Sequence, residues 1–289
     1  GHFRDDLRRF WKGDKDTAWK MSDKIKGSPS LYKGNNTLPK SINFITSHDG
    51  FTLKDLLTFN RKHNFANKEN NRDGDSHNNS WNHGVEGPTT DLSIRDLRKR
   101  QQKNLLLSLL ISKGVPMLLM GDEVGRSQGG NNNSWCQNNP LGWMNWDNSQ
   151  QDLELLNYLK FLIKLRKKLI KLLNPEFLIS QQNIENIPKY YWHGAKLNNP
   201  DWSSWSHTVA FSINKGEENP LIWAGLNAYS KNIDFCLPRS KGNWLKVVDT
   251  NVNQIIEPFP IINKSINIKS RSSVLIISEE VFGTKNNIF

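Results

Sequence analysis

Apolar residues fall along the 289-residue chain in two different rhythms, and the change comes after Asn174 and Pro175. Before it, short continuous apolar runs alternate with segments of helical period. The run Ile42 to Thr46 follows Pro39, is rich in β-branched side chains and stops before Gly50, as a parallel strand covered on both faces would. A second run, Val115 to Met120, is broken by Gly121, Asp122 and Glu123. Helices are predicted over Asp5 to Trp11, over Ser93 to Ser112 and over Asp152 to Leu173. The second has a charged first half and a leucine-rich second half, with Gly114 as its stop before Pro116. The third repeats Leu155, Leu159, Leu162, Ile163 and Leu169 near the 3.6-residue period. Strand, loop, helix, repeated, is the grammar of βα units.

After Pro175 the predicted elements are short strands between polar turns: Tyr190 to Trp192, Thr208 to Ile213, Pro220 to Leu226, Trp244 to Val248 and Val274 to Ser278. This pattern reads as an antiparallel β-sandwich. The expected organisation is therefore α/β over residues 1–174, followed by an all-β domain over residues 175–289. Trp192, Trp223 and Trp244 are expected in the sandwich core. Residues 12–40 read as a loop. Residues 60–93 and 125–150 form long polar loops, and loops of that length inside a compact domain usually carry function.

Composition narrows the function more than the fold. The net charge is +11, but the lysines are dispersed. They bunch only at Arg95 to Arg100 and Lys164 to Lys168, on predicted helices where they should form solvated faces. No basic-and-aromatic sheet signature or Cys/His finger accompanies them, so a nucleic-acid partner is not expected. No apolar run approaches the ~18 residues of a membrane helix. Cys136 and Cys236 are the only cysteines; they suggest a reducing compartment and offer no metal-ligand spacing. No cofactor or metal is implied.

The densest candidate chemistry is the pair His48 and Asp49 at the end of the first strand, where catalytic groups sit in a β/α barrel. The pair has a purely structural alternative, in which Asp49 or Thr52 caps the helix that follows. A metal-dependent phosphohydrolase would need further ligands on separate helices, whereas His63, His77 and His83 all fall in one polar loop. Asp122 and Glu123, adjacent on an extended segment, point to opposite sides and suit loop anchoring, with Arg126 as an ion-pair partner, better than catalysis. Arg72 and Asp73 read first as an ion pair within the loop. Trp81, Trp135 and Trp143 suit either stacking on a ligand or loop packing.

The wider pattern resembles the glycogen-debranching and isoamylase branch of the α-amylase family. The resemblance is carried by His48 to Leu56, Asn60 to Asn64, Asn67, Asn70 to Gly74, Ser80 to Asn82, Gly84 to Thr89, Gly114 to Glu123, Gly125 with Arg126, and Gln128 to Asn133. Phe3 to Phe10 resembles the helix that follows the strand bearing the family's catalytic glutamate. The resemblance implies the second half of a β/α (TIM-type) barrel followed by the sandwich, and hydrolysis of α-1,6 branches in glycogen, amylopectin-like glucan or limit dextrin. It makes Asp49 the transition-state-stabilising carboxylate and His48, Phe51, Arg72, Trp81, Gln128, Asn132 and Trp135 substrate-binding.

In that family the aspartate nucleophile and glutamate acid/base lie upstream of the His-Asp pair, whereas the first glutamate here is Glu69. The expectation is a C-terminal portion, inactive alone, whose partner is the N-terminal half of the barrel. The alternative is a non-catalytic glucan-binding or partner subunit. A bacterial cytoplasm or plastid stroma, rather than secretion, goes with the resemblance. So does calcium in some relatives, although no Asp-x-Asp-x-Asp-Gly loop occurs here. The segment Ser134 to Trp143 departs from the family pattern at Asn138 and Pro140, where acidic residues are usual, and His83 stands where a cysteine is usual. Branch-length preference cannot be carried over across these changes.

Overall fold

The structure is a computed structural model and describes residues 1–32, 41–147, 152–174, 187–216 and 218–282. The domain boundary expected after Asn174 opens onto residues 175–186, which lie outside the described residues.

The first helix, α1 (His2–Lys12), turns Phe3, Leu7, Phe10 and Trp11 inward and ends on Gly13 in the left-handed conformation, with φ 89°. There the Gly13 N–H donates to the carbonyls of Arg9 and Phe10, the usual glycine C-cap. A second helix, α2 (Ala18–Ile25), occupies part of the segment expected to be a loop. Ala18, Met21 and Ile25 share its buried face, but eight residues with an exposed Trp19 give too brief a period to stand out among polar neighbours. Strand β1 (Ile42–Asn43) and the single-turn α3 (Leu53–Leu56) follow. Then comes α4 (Leu92–Ile111), N-capped by Asp91, whose carboxylate accepts from the N–H groups of Ser93 and Ile94.

Strand β2 (Val115–Pro116) pairs parallel with β1, Ile42 opposite Val115 and Asn43 opposite Pro116. The parallel pairing is as expected. The full burial is not: Ile42 is 62% exposed and Met120 61%, with Val115 and Met117 exposed as well. Gly114, φ 114°, lets the two chains approach, because a Cβ there would lie 2.8 Å from the Ser41 carbonyl oxygen. Helix α5 (Leu153–Leu173), N-capped by Asp152, packs its leucine face on α4.

The C-terminal part contains all five expected strands: β3 (Lys189–His193), β4 (Thr208–Asn214), β5 (Pro220–Asn227), β7 (Trp244–Asp249) and β10 (Ser272–Ser278). It adds β6 (Ile233–Cys236), β8 (Phe259–Ile261) and β9 (Ser265–Ile268), short strands hidden among polar residues, and a last turn, α6 (Glu279–Phe282). Six strands form one antiparallel sheet in the order β3-β4-β5-β10-β7-β8, and β6 pairs with β9.

Alternation along the central strands serves two cores. Val209, Phe211, Ile213, Leu275 and Ile277 join the leucines of α4 and α5. Ala210, Trp223, Val274 and Ile276 face Phe235 and Ile268 of the two-stranded sheet. Trp223 and Trp244 are core residues, and Trp192 packs at the edge of the first core. Buried hydrogen bonds fasten the helices to the sheet. Asn104 of α4 donates to the Arg271 carbonyl at 2.8 Å and accepts from Thr250 Oγ1 at 2.6 Å.

The basic helix segments are not simply solvated. Within them Arg98 and Arg166 are buried. The guanidinium of Arg98 donates to the carbonyls of Asn82, Val85 and Gly87, and that of Arg166 to those of Leu110, Ser112 and Gly114. No helix among the described residues is long and apolar enough to cross a membrane.

Candidate functional site

After β1 the chain runs through buried Ile45 and Thr46 and then emerges, so that His48 and Asp49 stand at the tip of a turn. Their side chains are 87% and 81% exposed, with His48 Nε2 3.3 Å from Asp49 Oδ2. Neither caps α3. That task falls to Thr52, whose Oγ1 accepts from the Asp55 N–H at 3.1 Å.

The turn is held by three neighbours and closed by one bond of its own. Buried Asp122 spans it, accepting from Thr46 Oγ1 on one side and from the Leu53 N–H at 2.8 Å on the other. Arg8 of α1 reaches across and donates to the Ile45 carbonyl from Nε at 3.0 Å and Nη2 at 2.6 Å, and to the Asn78 carbonyl at 2.8 Å. At the tip, the Gly50 N–H donates to the Asn132 carbonyl at 2.9 Å. Ser47 Oγ closes the turn on the Asp49 carbonyl at 3.0 Å. The exposed pair therefore rests on a fixed base, which is what a binding carboxylate needs.

Electrostatics in that base follow from burial. Desolvation pushes the Asp122 carboxyl up to about 7, against the hydrogen bonds from Leu53 and Thr46. Desolvation, ahead of repulsion from Arg4, brings the Arg8 guanidinium down to about 9, still protonated at neutral pH. Asp55 is raised by burial too, and its carboxylate gathers the Ser127 hydroxyl and the Gln128 N–H. Glu123 accepts from the Gly121 N–H, while Arg126 donates to the Gly142 carbonyl. The loop anchoring expected of Asp122 and Glu123 is present without the ion pair to Arg126.

Two polar loops are stitched together beside the turn by asparagines. Asn64 donates to Asn132 Oδ1 at 2.8 Å and accepts from the Asn132 N–H at 3.0 Å. Asn131 donates to Asn67 Oδ1 at 2.8 Å. Asn132 Nδ2 also reaches the Asp75 carbonyl and Asn78 Oδ1. Asp73 accepts from Asn67 and Asn133. The expected pair of Asp73 with Arg72 does not form; Arg72 is exposed and its Nε turns to the Glu69 carbonyl.

The other candidates separate by exposure. Phe51 is fully buried against Phe59, with ring centroids 6.4 Å apart, so its ring floors the turn rather than meeting a ligand. Asn132 and Gln128 are buried in the loop framework; Gln128 Nε2 donates to Ser134 Oγ. Trp81 is half-buried, with His83 stacked at 4.0 Å and the Arg271 guanidinium 4.9 Å from its ring. Trp135 is 81% exposed, and Trp143 and Trp146 of the same loop are also exposed. His48, Asp49, Arg72 and Trp135 thus remain open to a ligand. Thr46, Arg8 and Asp55 act as positioning residues that sequence reasoning did not single out. Cys136 and Cys236 are both free and exposed.

Comparison with known proteins places these features in a lineage. The family described as Isoamylase 1-3, C-terminal, matches residues 191–286. The chain is 41% identical over 252 residues to isoamylase 1, chloroplastic, of Oryza sativa subsp. japonica, covering 86% of this chain and 30% of the rice protein. It is 37% identical over 271 residues to the glycogen operon protein GlgX homolog of Mycobacterium tuberculosis, covering 87% and 38% respectively. It thus spans about a third of the length of the curated relatives it matches. Among solved structures, the type I pullulanase of Bacillus subtilis, complexed with maltose, superposes with a TM-score of 0.66 at 19% identity, covering 96% of this chain and 34% of the pullulanase. That likeness concerns the fold alone. The chain thus resembles a C-terminal portion of the isoamylases and glycogen-operon GlgX homologs, and its residues 191–286 match the isoamylase C-terminal family.

Proposed function

We propose that these residues form one side of the active cleft of a retaining α-1,6-glucan debranching hydrolase acting on glycogen or a related branched polyglucan. The observation that carries this is the His48–Asp49 pair, exposed at a strand end on a turn fixed by Asp122, Arg8 and Asn132. A carboxylate so placed can accept from the 2-OH and 3-OH of the glucose at the scissile bond. Those bonds strengthen as the ring flattens toward an oxocarbenium ion, so they lower the barrier rather than merely bind substrate. His48 contacts the same sugar, and Arg72 and Trp135 border the cleft. Bond cleavage itself takes a nucleophilic carboxylate and a carboxylic acid about 5–5.5 Å apart. In this proposal both come from sequence outside these 289 residues, and the chain alone is inactive.

The rest of the barrel is the partner that suits the open face of β1 and β2. Ile42, Val115, Met117 and Met120 form an apolar surface beside a parallel strand edge, a combination that aggregates when left uncovered. The relatives described as chloroplastic or belonging to a glycogen operon point to a plastid stroma or a bacterial cytoplasm as the compartment.

The test is Asp49→Asn in the full-length polypeptide carrying these residues, assayed for reducing ends released from glycogen. A fall in kcat of roughly 10²–10³ is expected, with KM changed far less. Retention of near wild-type kcat would falsify the role given to Asp49.

A further inference from the structure

Away from the His48–Asp49 tip, between the N-terminal turns of α4 and α5, lies a cavity of about 630 Å³. That is the size range of small-ligand sites. Four cationic side chains line it, Lys54, Arg95, Arg98 and Lys99, against the single carboxylate of Asp152. Two of the cations are committed elsewhere. The Arg98 guanidinium is spent on three carbonyls, and Lys99 lies 3.4 Å from Glu154. Asp152 is occupied with the Leu155 N–H at 3.0 Å. The side chains of Lys54 and Arg95 are exposed and make no hydrogen bond or ion pair among the described residues.

A second observation points into the same space. Gln102 is only 6% exposed, lines the cavity, and its carboxamide makes no hydrogen bond among the described residues. The amide atoms are open to the cavity rather than sealed from solvent, so a ligand hydroxyl can replace water on them. The remaining wall mixes apolar Leu57, Pro88 and Val124 with the hydroxyl-bearing Thr58, Thr89 and Ser127. Free cations at the rim, an open amide and a wall of mixed polarity describe a ligand with an anionic head and a compact body that has both hydroxyls and C–H faces.

We propose that this cavity binds a phosphate-bearing sugar, its phosphate between Lys54 and Arg95 and a sugar hydroxyl on Gln102. The site is independent of the role assigned to Asp49. Lys and Arg at the rim supply charge-assisted bonds to phosphate oxygens, and the N-terminus of α5 adds favourable field for an anion.

Calorimetric titration of the full-length polypeptide with glucose 6-phosphate, inorganic phosphate and glucose tests this. One saturable site for glucose 6-phosphate is expected, with weaker inorganic phosphate and no measurable glucose at the same position. The exposed double variant Lys54→Ala/Arg95→Ala should weaken both phosphates by about tenfold or more. Gln102→Ala should weaken glucose 6-phosphate while leaving inorganic phosphate within about twofold. Asp49→Asn should leave inorganic phosphate and the phosphate-dependent gain of glucose 6-phosphate over glucose unchanged, which separates this site from the cleft. The proposal is overturned by phosphate affinities that ignore the double variant, by glucose binding as tightly as its phosphate, or by the absence of any saturable phosphate binding. Should the double variant unfold on a thermal melt, Arg95→Gln alone carries the same expectation at a smaller factor.

Discussion

Removing the Asp122 carboxylate tests how the proposed site is held. In Asp122→Ala the Leu53 N–H and the Thr46 hydroxyl lose their acceptor, and both residues are buried. An orphaned buried donor costs about 1–3 kcal/mol, and because the threonine hydroxyl can rotate toward another acceptor, about 2–3 kcal/mol in all is the reasonable expectation. The penalty depends on pH, and its sign is fixed by burial. Desolvation pushes the folded carboxyl up to about 7 from its ordinary 3.8. Its contribution is therefore full below pH ~4 and lost as pH rises through ~7, with a ceiling of about 4 kcal/mol across that window. Asp122→Ala should consequently cost most in acid and least above neutrality, whereas Asp122→Asn, a permanently neutral stand-in, should flatten that component. Denaturant titrations at steps from pH 5 to 8, with amide exchange at Gly50 and Leu53, measure both effects. Unchanged Leu53 exchange in Asp122→Ala, or a penalty that grows with pH, would refute the account of the clamp.

Further outcomes follow from other parts of the structure. His83 is buried, its Nδ1 lies 3.0 Å from the Leu57 carbonyl and its Nε2 is unpaired, and desolvation lowers it to about 4. Stability from its neutral form is full above the unfolded value near 6.5 and drains as pH falls toward 4. His83→Cys should remove up to about 3 kcal/mol of that acid sensitivity, read as Tm against pH. Asn132→Leu takes one bond each from the Asn64 amide and the Asp75 carbonyl, which keep Asp73 and Asn78 as partners, and strips the buried Asn78 Oδ1 of its donor; it should loosen both polar loops, raising amide exchange in 60–79 and lowering stability by about 1–3 kcal/mol. Gly114→Ala places a Cβ 2.8 Å from the Ser41 carbonyl oxygen at φ 114°; a loss of about 2 kcal/mol or more by denaturant titration is expected, and a neutral result would contradict the close approach of β1 and β2.

Much of the fold was legible because the strong signals are local. The leucine period of α5, the extent of α4 and the five apolar strands of the C-terminal sheet all sit where periodicity puts them. What escaped depends on partners distant in sequence. Helix α2 is too short to show a period, and β6, β8 and β9 are strands only because the six-stranded sheet and each other supply hydrogen bonds and one apolar face. In the site, His48 and Asp49 were visible as a strand-end pair. Asp122 was visible as a loop anchor, but what it anchors lies 69 to 76 residues away. Phe51 illustrates the converse: a motif position beside the exposed pair turns inward to fill the core.

The basic composition is the point on which sequence and structure differ most instructively. A net charge of +11 spread along a chain suggests solvated lysines and arginines, yet Arg8, Arg98 and Arg166 are each buried and each donate to carbonyls of segments that are not in regular structure or are leaving it. A loop that crosses the top of a βα layer carries backbone carbonyls with no ladder to satisfy them, and each unsatisfied one is costly when water is excluded. The planar five-donor guanidinium can take two or three such carbonyls at once, from a helix that is already rigid, where lysine would offer one mobile ammonium. Arg8 holds the strand end before His48, Arg98 gathers residues 82–87 of the polar loop, and Arg166 fixes the turn from α4 into β2. The long loops that border the proposed cleft are thereby fixed without secondary structure of their own, which leaves their outer faces, with Arg72, Trp135 and the His48–Asp49 tip, free to be shaped by substrate rather than by folding.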